Sequence, residues 1–300
     1  MAQCVGLVAV VLRAMLKFPD CPKLHVAAFH AMVLLARPLG GREGMLFDTA
    51  MADETPSSFL GVLARPPSPA RNDVASLDRG SGRKLNAING IAVMLDSMRR
   101  FEDYPDLQAM SCWALVNLAL VPAQKTMILT LGGIEAATNA MRRHPQNYDV
   151  QFRALFALIN LVVASKTPRA LSFRNSPQGP NTEKHVLDAI VEEVANLVVL
   201  AMKNFCSSGT ILNRACLVLH NLGQSQEYLT TLLRTSHCYQ MLEWCITNYP
   251  TDPVLRRSAT STLHRLQVFL SENERLRTRF AECLRAQEGL SLQPSAGQYI

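Results

Sequence analysis

Aromatic residues are scarce in this sequence: Phe, Trp and Tyr make up 6% of 300 residues, and only 2 are Trp. Sheet-dominated cores draw on aromatic and β-branched side chains, so this shortage argues against an all-β fold. Leu, Ala, Val and Met dominate the 48% hydrophobic content, a mixture suited to helix-on-helix packing. The 8 cysteines form no CxxC pair. Neither a zinc site nor a disulfide framework is expected, and the cysteines read as reduced, small buried hydrophobes of an intracellular protein. Lysine-rich runs and interleaved aromatics are missing too, which makes nucleic acid a poor candidate for a partner. The net charge of +6 is spread among carboxylates except over 256–285, where seven Arg stand against Glu272, Glu274 and Glu282. That region reads either as a solvated helix face or as a patch for an acidic peptide, a lipid headgroup or nucleic acid.

Long apolar runs are also lacking. The opening stretch, 1–18, has no positive charge before its apolar run, and Arg13 interrupts that run after about eight residues. It reads neither as a signal peptide nor as a membrane span. Catalytic signatures are missing as well: no GxSxG, HExxH, Walker loop or helix-opening GxGxxG occurs. RGSGRK (79–84) has glycines and a lysine without phosphate-loop spacing. His25 and His30, five apart, do not share a helix face; with His220 and His264 they read as satisfied structural histidines. The expectation is a protein that is not an enzyme and uses no cofactor and no metal.

What is present is a repeat. NGIAVMLDSMRR with LQAMSCWALVNLA is matched by GGIEAATNAMRR with VQFRALFALINLV at a constant offset of 43. Taking Met15, Met98, Met141, Met202 and Ile246 as anchors, the position nine further on is apolar in all five copies. The position thirteen further on is small (Ala28, Ser111, Ala154, Ala215, Ala259), and the position twenty further on is Leu (Leu35, Leu118, Leu161, Leu222, Leu266). Within a copy the apolar residues recur at three or four, a helical period. Pro19, Pro145 and Pro250 follow the anchors as stop signals. Gly132-Gly133 separates a short helix over 124–131 from the next. Three helices in about 43 residues result, and a chain whose units pack on their neighbours need not split into compact domains.

The string VQ-x-x-A-x-x-AL-x-NL, preceded by a G-G-I helix start, resembles the armadillo repeat of importin-α, β-catenin and Vac8-type proteins. The resemblance is strong over 85–164, moderate over 183–270 and weak over 1–36. It implies an all-α fold: a right-handed α-solenoid of about five armadillo-type repeats with two loop insertions, its third helices lining a concave groove. In importin-like members a Trp and an Asn one turn apart hold an extended peptide. Trp113 and Asn117 match both positions; Phe156 and Asn160 match with an aromatic substitution; Asn221 remains where Leu217 replaces the Trp. An Asn amide can satisfy a peptide backbone, or it can bond the turn leading to the next repeat. Three residues before the Trp position stand Met110, Arg153 and Arg214. These arginines would repel a basic signal and accept an acidic or mixed-charge segment, or they merely solvate the helix.

The resulting organisation is a partial repeat (1–36), a flexible Pro/Ser/Gly-rich insertion (37–84), two well-formed repeats (85–164), a loop insertion (165–182), two divergent repeats (183–270), a terminal helix (271–288) and a tail (289–300). The first insertion contains RPPSPAR, which makes Ser68 a candidate for proline-directed phosphorylation, and FLGVLA (59–64), a docking segment or a degenerate helix. The second leaves from the end of a groove helix and is placed to gate one rim. Ser271 with Glu274 forms a capping-box pattern ahead of the terminal helix. The front of the array has no polar cap, so the chain reads as a fragment, a partial gene model or one end of a self-associating solenoid. The leading functional expectation is a cytoplasmic, secondarily nuclear, scaffold or adaptor that binds protein partners through Trp113, Asn117, Arg153, Phe156, Asn160, Arg214 and Asn221. The alternatives are a structural or regulatory subunit of axonemal or membrane-tethered armadillo type, and an importin-like transport receptor, which the groove arginines disfavour.

Overall fold

The computed structural model describes residues 2–35, 90–162 and 180–288. Among these the chain is all-helical, with thirteen helices and no strand. They are α1 (Ala2–Lys17), α2 (Pro22–Leu35), α3 (Gly90–Arg100), α4 (Pro105–Leu118), α5 (Pro122–Thr130), α6 (Gly133–Arg143) and α7 (Tyr148–Leu161). The second half adds α8 (Pro180–Asn204), α9 (Gly209–Leu222), α10 (Gln226–Arg234), α11 (Cys238–Asn248), α12 (Pro253–Glu272) and α13 (Glu274–Glu288). Lengths recur with the sequence period. Helices α2, α4, α7 and α9 have 14 residues each, α3, α6 and α11 have 11, and α5 and α10 have 9.

The packing forms two layers. In the first, α2, α4, α7, α9 and α12 lie side by side in that order; in the second, α1, α3, α6, α8 and α11 do the same. Each second-layer helix also packs on the first-layer helix that follows it, while α5 and α10 bridge the turns between copies. The repeated positions are what the layers bury. Met98, Met141 and Met202, then Leu107, Val150, Ile211 and Leu255, are 2% exposed or less. The small positions Ser111, Ala154, Ala215 and Ala259 are fully buried, letting neighbouring helices approach closely. No helix among the described residues is long and apolar enough to cross a membrane.

Local chemistry explains the boundaries. Pro opens α4, α5 and α12, where a missing N–H costs nothing. Asn147 and Ser208 accept from the N–H groups of Val150 and Ile211, and Asp252 accepts from those of Val254 and Leu255. Pro19, Pro145 and Pro250 stand two residues beyond the ends of α1, α6 and α11. Gly132 adopts φ 86°, and a Cβ on Gly133 would collide with the Ile128 side chain, so the Gly pair answers two different demands. His237, which precedes α11 as Gly132 precedes α6, takes φ 63° without being glycine.

A glutamine staple ties successive helices together. The Gln108 amide donates to the carbonyls of Met98 and Phe101, both at 2.9 Å; Gln151 donates to those of Met141 and His144 at 2.9 and 3.0 Å. In the first copy the same register is held by His25, whose Nε2 donates to the Phe18 carbonyl at 3.1 Å.

Several expectations change. Ser271 does not cap α13: it lies in the last turn of α12 and donates to the Val268 carbonyl, because no breaker interrupts the helix before Asn273. The terminal helix accordingly begins at Glu274 rather than 271. Helix α8 begins at Pro180, inside the expected 165–182 loop, with Pro supplying the first helical residue. Cys112, Cys216, Cys238 and Cys245 are buried, but Cys21 and Cys283 are exposed, since both fall on solvent-facing helix positions or turns. His30 and His264 are exposed rather than packed. Ser68, the 59–64 run, most of the second insertion and the tail lie outside the described residues.

Candidate protein-binding face

The seven candidate residues all fall on three adjacent first-layer helices. Trp113 and Asn117 are on α4; Arg153, Phe156 and Asn160 on α7; Arg214 and Asn221 on α9. All seven are half-buried, held by their own helices and still accessible. They come together as one row. The Trp113 and Phe156 rings meet edge to face at 5.9 Å. The Arg153 guanidinium reaches back over Trp113 at 5.8 Å, and Arg214 reaches back over Phe156 at 4.9 Å and over Phe152 at 3.8 Å. Each arginine thus lies over an aromatic ring of the preceding first-layer helix, at distances where the ring's negative face attracts a cation.

Polar satisfaction along the row is incomplete. Arg153 Nη1 approaches the Met110 sulfur at 2.8 Å, and Arg214 Nη1 donates to the Thr210 carbonyl at 3.4 Å. Arg214 Nε is buried without a hydrogen-bond partner. Burial draws the Arg214 pKa below its usual value, opposed by Tyr148, yet a guanidinium starts so high that it stays charged. His220 Nδ1, further along α9, is likewise buried without a partner. Burial lowers the His220 pKa and the nearby Arg265 charge lowers it further, so the ring favours its neutral form.

The asparagines split their capacity. Asn160 donates to the Val116 carbonyl at 3.2 Å and Asn221 to the Ile159 carbonyl at 2.9 Å, each stapling its helix to the one before. Asn117 instead donates to Trp113 within its own helix at 3.0 Å. Arg265, at the same register on α12, donates to the Gly223 and Gln224 carbonyls at 2.7 and 3.0 Å. An amide has a second N–H and an acceptor oxygen beyond such a bond.

Sequence reasoning missed Tyr148 and Phe152. Tyr148 stacks on Phe152 at 5.8 Å and bonds Thr210 of α9 through its hydroxyl at 2.7 Å. Their spacing with Phe156, four apart along α7, is the signal that would have found them.

The second layer is different in kind. Two hollows of about 430 and 300 Å³ open there, around Asp96, Arg99, Glu135 and Arg142. Their arginines are occupied: Arg99 holds Asp96 and the Leu131 carbonyl, and Arg142 pairs with Glu193. No group of three or more His, Cys, Asp or Glu able to hold a metal ion occurs among the described residues.

No family model matches the sequence, and no curated protein matches it. Among solved structures, an engineered protein from the Northeast Structural Genomics Consortium is similar at 14% identity, covering 87% of this chain and 97% of its own, with a TM-score of 0.45.

Proposed function

We propose that this chain is an armadillo-type α-solenoid of about five repeats, acting as a non-catalytic, cytoplasmic scaffold that binds a segment of a partner protein along its first-layer face. The observation that carries this reading is the Trp113–Arg153–Phe156–Arg214 row. It sets half-buried aromatic and cationic groups in register across three consecutive helices. Aromatic and Arg side chains are the groups that dominate protein interfaces. The uncompensated guanidinium charge supports an acidic or mixed-charge segment over a basic one, and so speaks against an importin-like role. The test is affinity capture with the wild-type chain beside Trp113→Ala and Phe156→Ala, with retained proteins identified by mass spectrometry. Partners should be lost from both variants while circular dichroism stays unchanged. Partners retained equally by all three would reject this face in favour of broad surface contacts of the structural-subunit kind.

A further inference from the structure

The arginines of the middle helices differ between the two layers in one respect. On the second layer Arg99, Arg100, Arg142 and Arg143 each hold a carboxylate: Asp96, Asp20, Glu193 and Glu102 respectively. On the first layer Arg153 and Arg214 have no carboxylate partner among the described residues. Their contacts are aromatic rings, the Met110 sulfur and one backbone carbonyl. A ring contact engages the cation without using its N–H donors, so terminal Nη donors remain for a ligand on both groups, although the buried Arg214 Nε does not. Packing over Phe152 and Phe156 also restricts the Arg214 side chain, lowering the entropy lost when an anion binds.

Both arginines occupy the same position of their repeats and reach back the same way, so one helix-to-helix step separates them. Packed helices lie roughly 8–10 Å apart. A polyproline II segment has three residues per turn and rises about 3.1 Å per residue, so its positions i and i+3 face the same side roughly 9 Å apart. A β-strand alternates sides and has no same-side pair at that distance, only at about 7 or 13 Å. We propose that Arg153 and Arg214 form a two-point anion clamp that takes an acidic protein segment in polyproline II conformation, with Asp or Glu at i and i+3. The proposal rests on the reading of the first layer as a partner-binding face, and it names that partner's chemistry.

The test displays a library of random 12-residue peptides to the immobilised full chain, wild type beside Arg153→Gln, Arg214→Gln, Trp113→Ala and Phe156→Ala. The wild type should enrich peptides carrying Asp or Glu three residues apart, and either Gln variant should lose that enrichment. A synthetic peptide from the enriched set, followed by fluorescence anisotropy, should bind each single Gln variant roughly tenfold more weakly and lose affinity with added salt. Enriched peptides without an acidic pair, still lost from Trp113→Ala, would overturn the clamp and leave the binding face standing. Acidic pairs at another spacing would overturn the polyproline geometry and with it the clamp as stated. No enrichment, or enrichment indifferent to all four substitutions, would overturn both.

Discussion

At the scale of single residues, the polar groups that most constrain this chain are those whose partners sit in another helix. Gln151 is 2% exposed, and its amide alone spans the carbonyls of Met141 and His144. Gln151→Ala removes both bonds and deprives the buried Met141 carbonyl of its donor, while the His144 carbonyl keeps the Asn147 N–H; the loss of about 2 kcal/mol would register in urea unfolding as a lower midpoint. An unchanged midpoint would mean that water replaces the amide. His237 presents the opposite case. Its φ of 63° carries the left-handed penalty that Gly132 avoids at the corresponding helix start. His237→Gly should therefore stabilise the chain by about 1 kcal/mol, raising the same midpoint despite glycine's greater freedom when unfolded. A lower midpoint would show that the His237 contact with Ser236, at 2.6 Å, outweighs the backbone strain.

At the scale of helices, His25 joins three elements. From α2 its Nε2 donates to the Phe18 carbonyl just past α1, and its Nδ1 accepts from the Ser97 hydroxyl of α3 at 2.7 Å. A carbonyl can only accept, so this pattern fixes the neutral tautomer with its proton on Nε2. Burial lowers the His25 pKa below 6.5. The Phe18 and Met15 carbonyls oppose that shift, as does Asp20, while Arg100 reinforces it. The folded state therefore binds fewer protons than the unfolded one in this range. The contribution of neutral His25 is present above pH 6.5 and is lost as pH falls through that value towards the lowered pKa. Hydrogen exchange in α1 and α2 should accelerate as pH is taken from 7.5 to 5, after correction for intrinsic rates. His25→Gln should remove that dependence, because Gln holds this register in Gln108 and Gln151. Persistence of the acceleration in His25→Gln would place the titrating group elsewhere. The example also shows what a sequence discloses. Helices α3 and α6 were legible to within a residue, because a Gly-Ile start and a helical apolar period are local signals, joined in α6 by Pro145 two residues past its end. The register that His25 shares with the two glutamines, ten residues past each anchor, was not legible, because a histidine stands where the other copies have glutamine. The stacking of Arg153 on Trp113 and of Arg214 on Phe152 was not legible. It depends on side chains that reach a helix some 40 to 60 positions earlier in the chain. The asparagines were half legible: their position is local, but whether an amide serves a ligand or the preceding helix is settled only by packing.

At the scale of the whole molecule, the layers imply that stability is distributed unevenly. Among the described residues, helices α4, α7 and α9 each have a first-layer neighbour on both sides, whereas α2 has one only at α4, and α13 packs chiefly on α12. The residues of α4, α7 and α9 that face the core are almost wholly buried, while α13 leaves Arg275, Arg277 and Arg279 exposed and its apolar positions Leu276 and Phe280 only half-covered. Exposed ion pairs between copies, such as Arg100 with Asp20, contribute little individually. Cohesion therefore falls to the apolar contacts between adjacent helices, which are short-ranged. A chain held together by nearest-neighbour contacts opens in segments, with free energies that rise from its ends towards its middle. Native-state hydrogen exchange across a urea series should show the largest opening free energies in α4, α7 and α9 and the smallest in α13. Leu155, fully buried on α7, gives the sharper form of the test. Leu155→Ala removes a core side chain at a cost of roughly 2–5 kcal/mol. That loss should appear in full in α4, α7 and α9, weaken through α12, and leave the opening of α13 almost unchanged. A uniform drop across every helix would mean that the layers unfold as one cooperative core, and the picture of helices supported only by their neighbours would have to be abandoned.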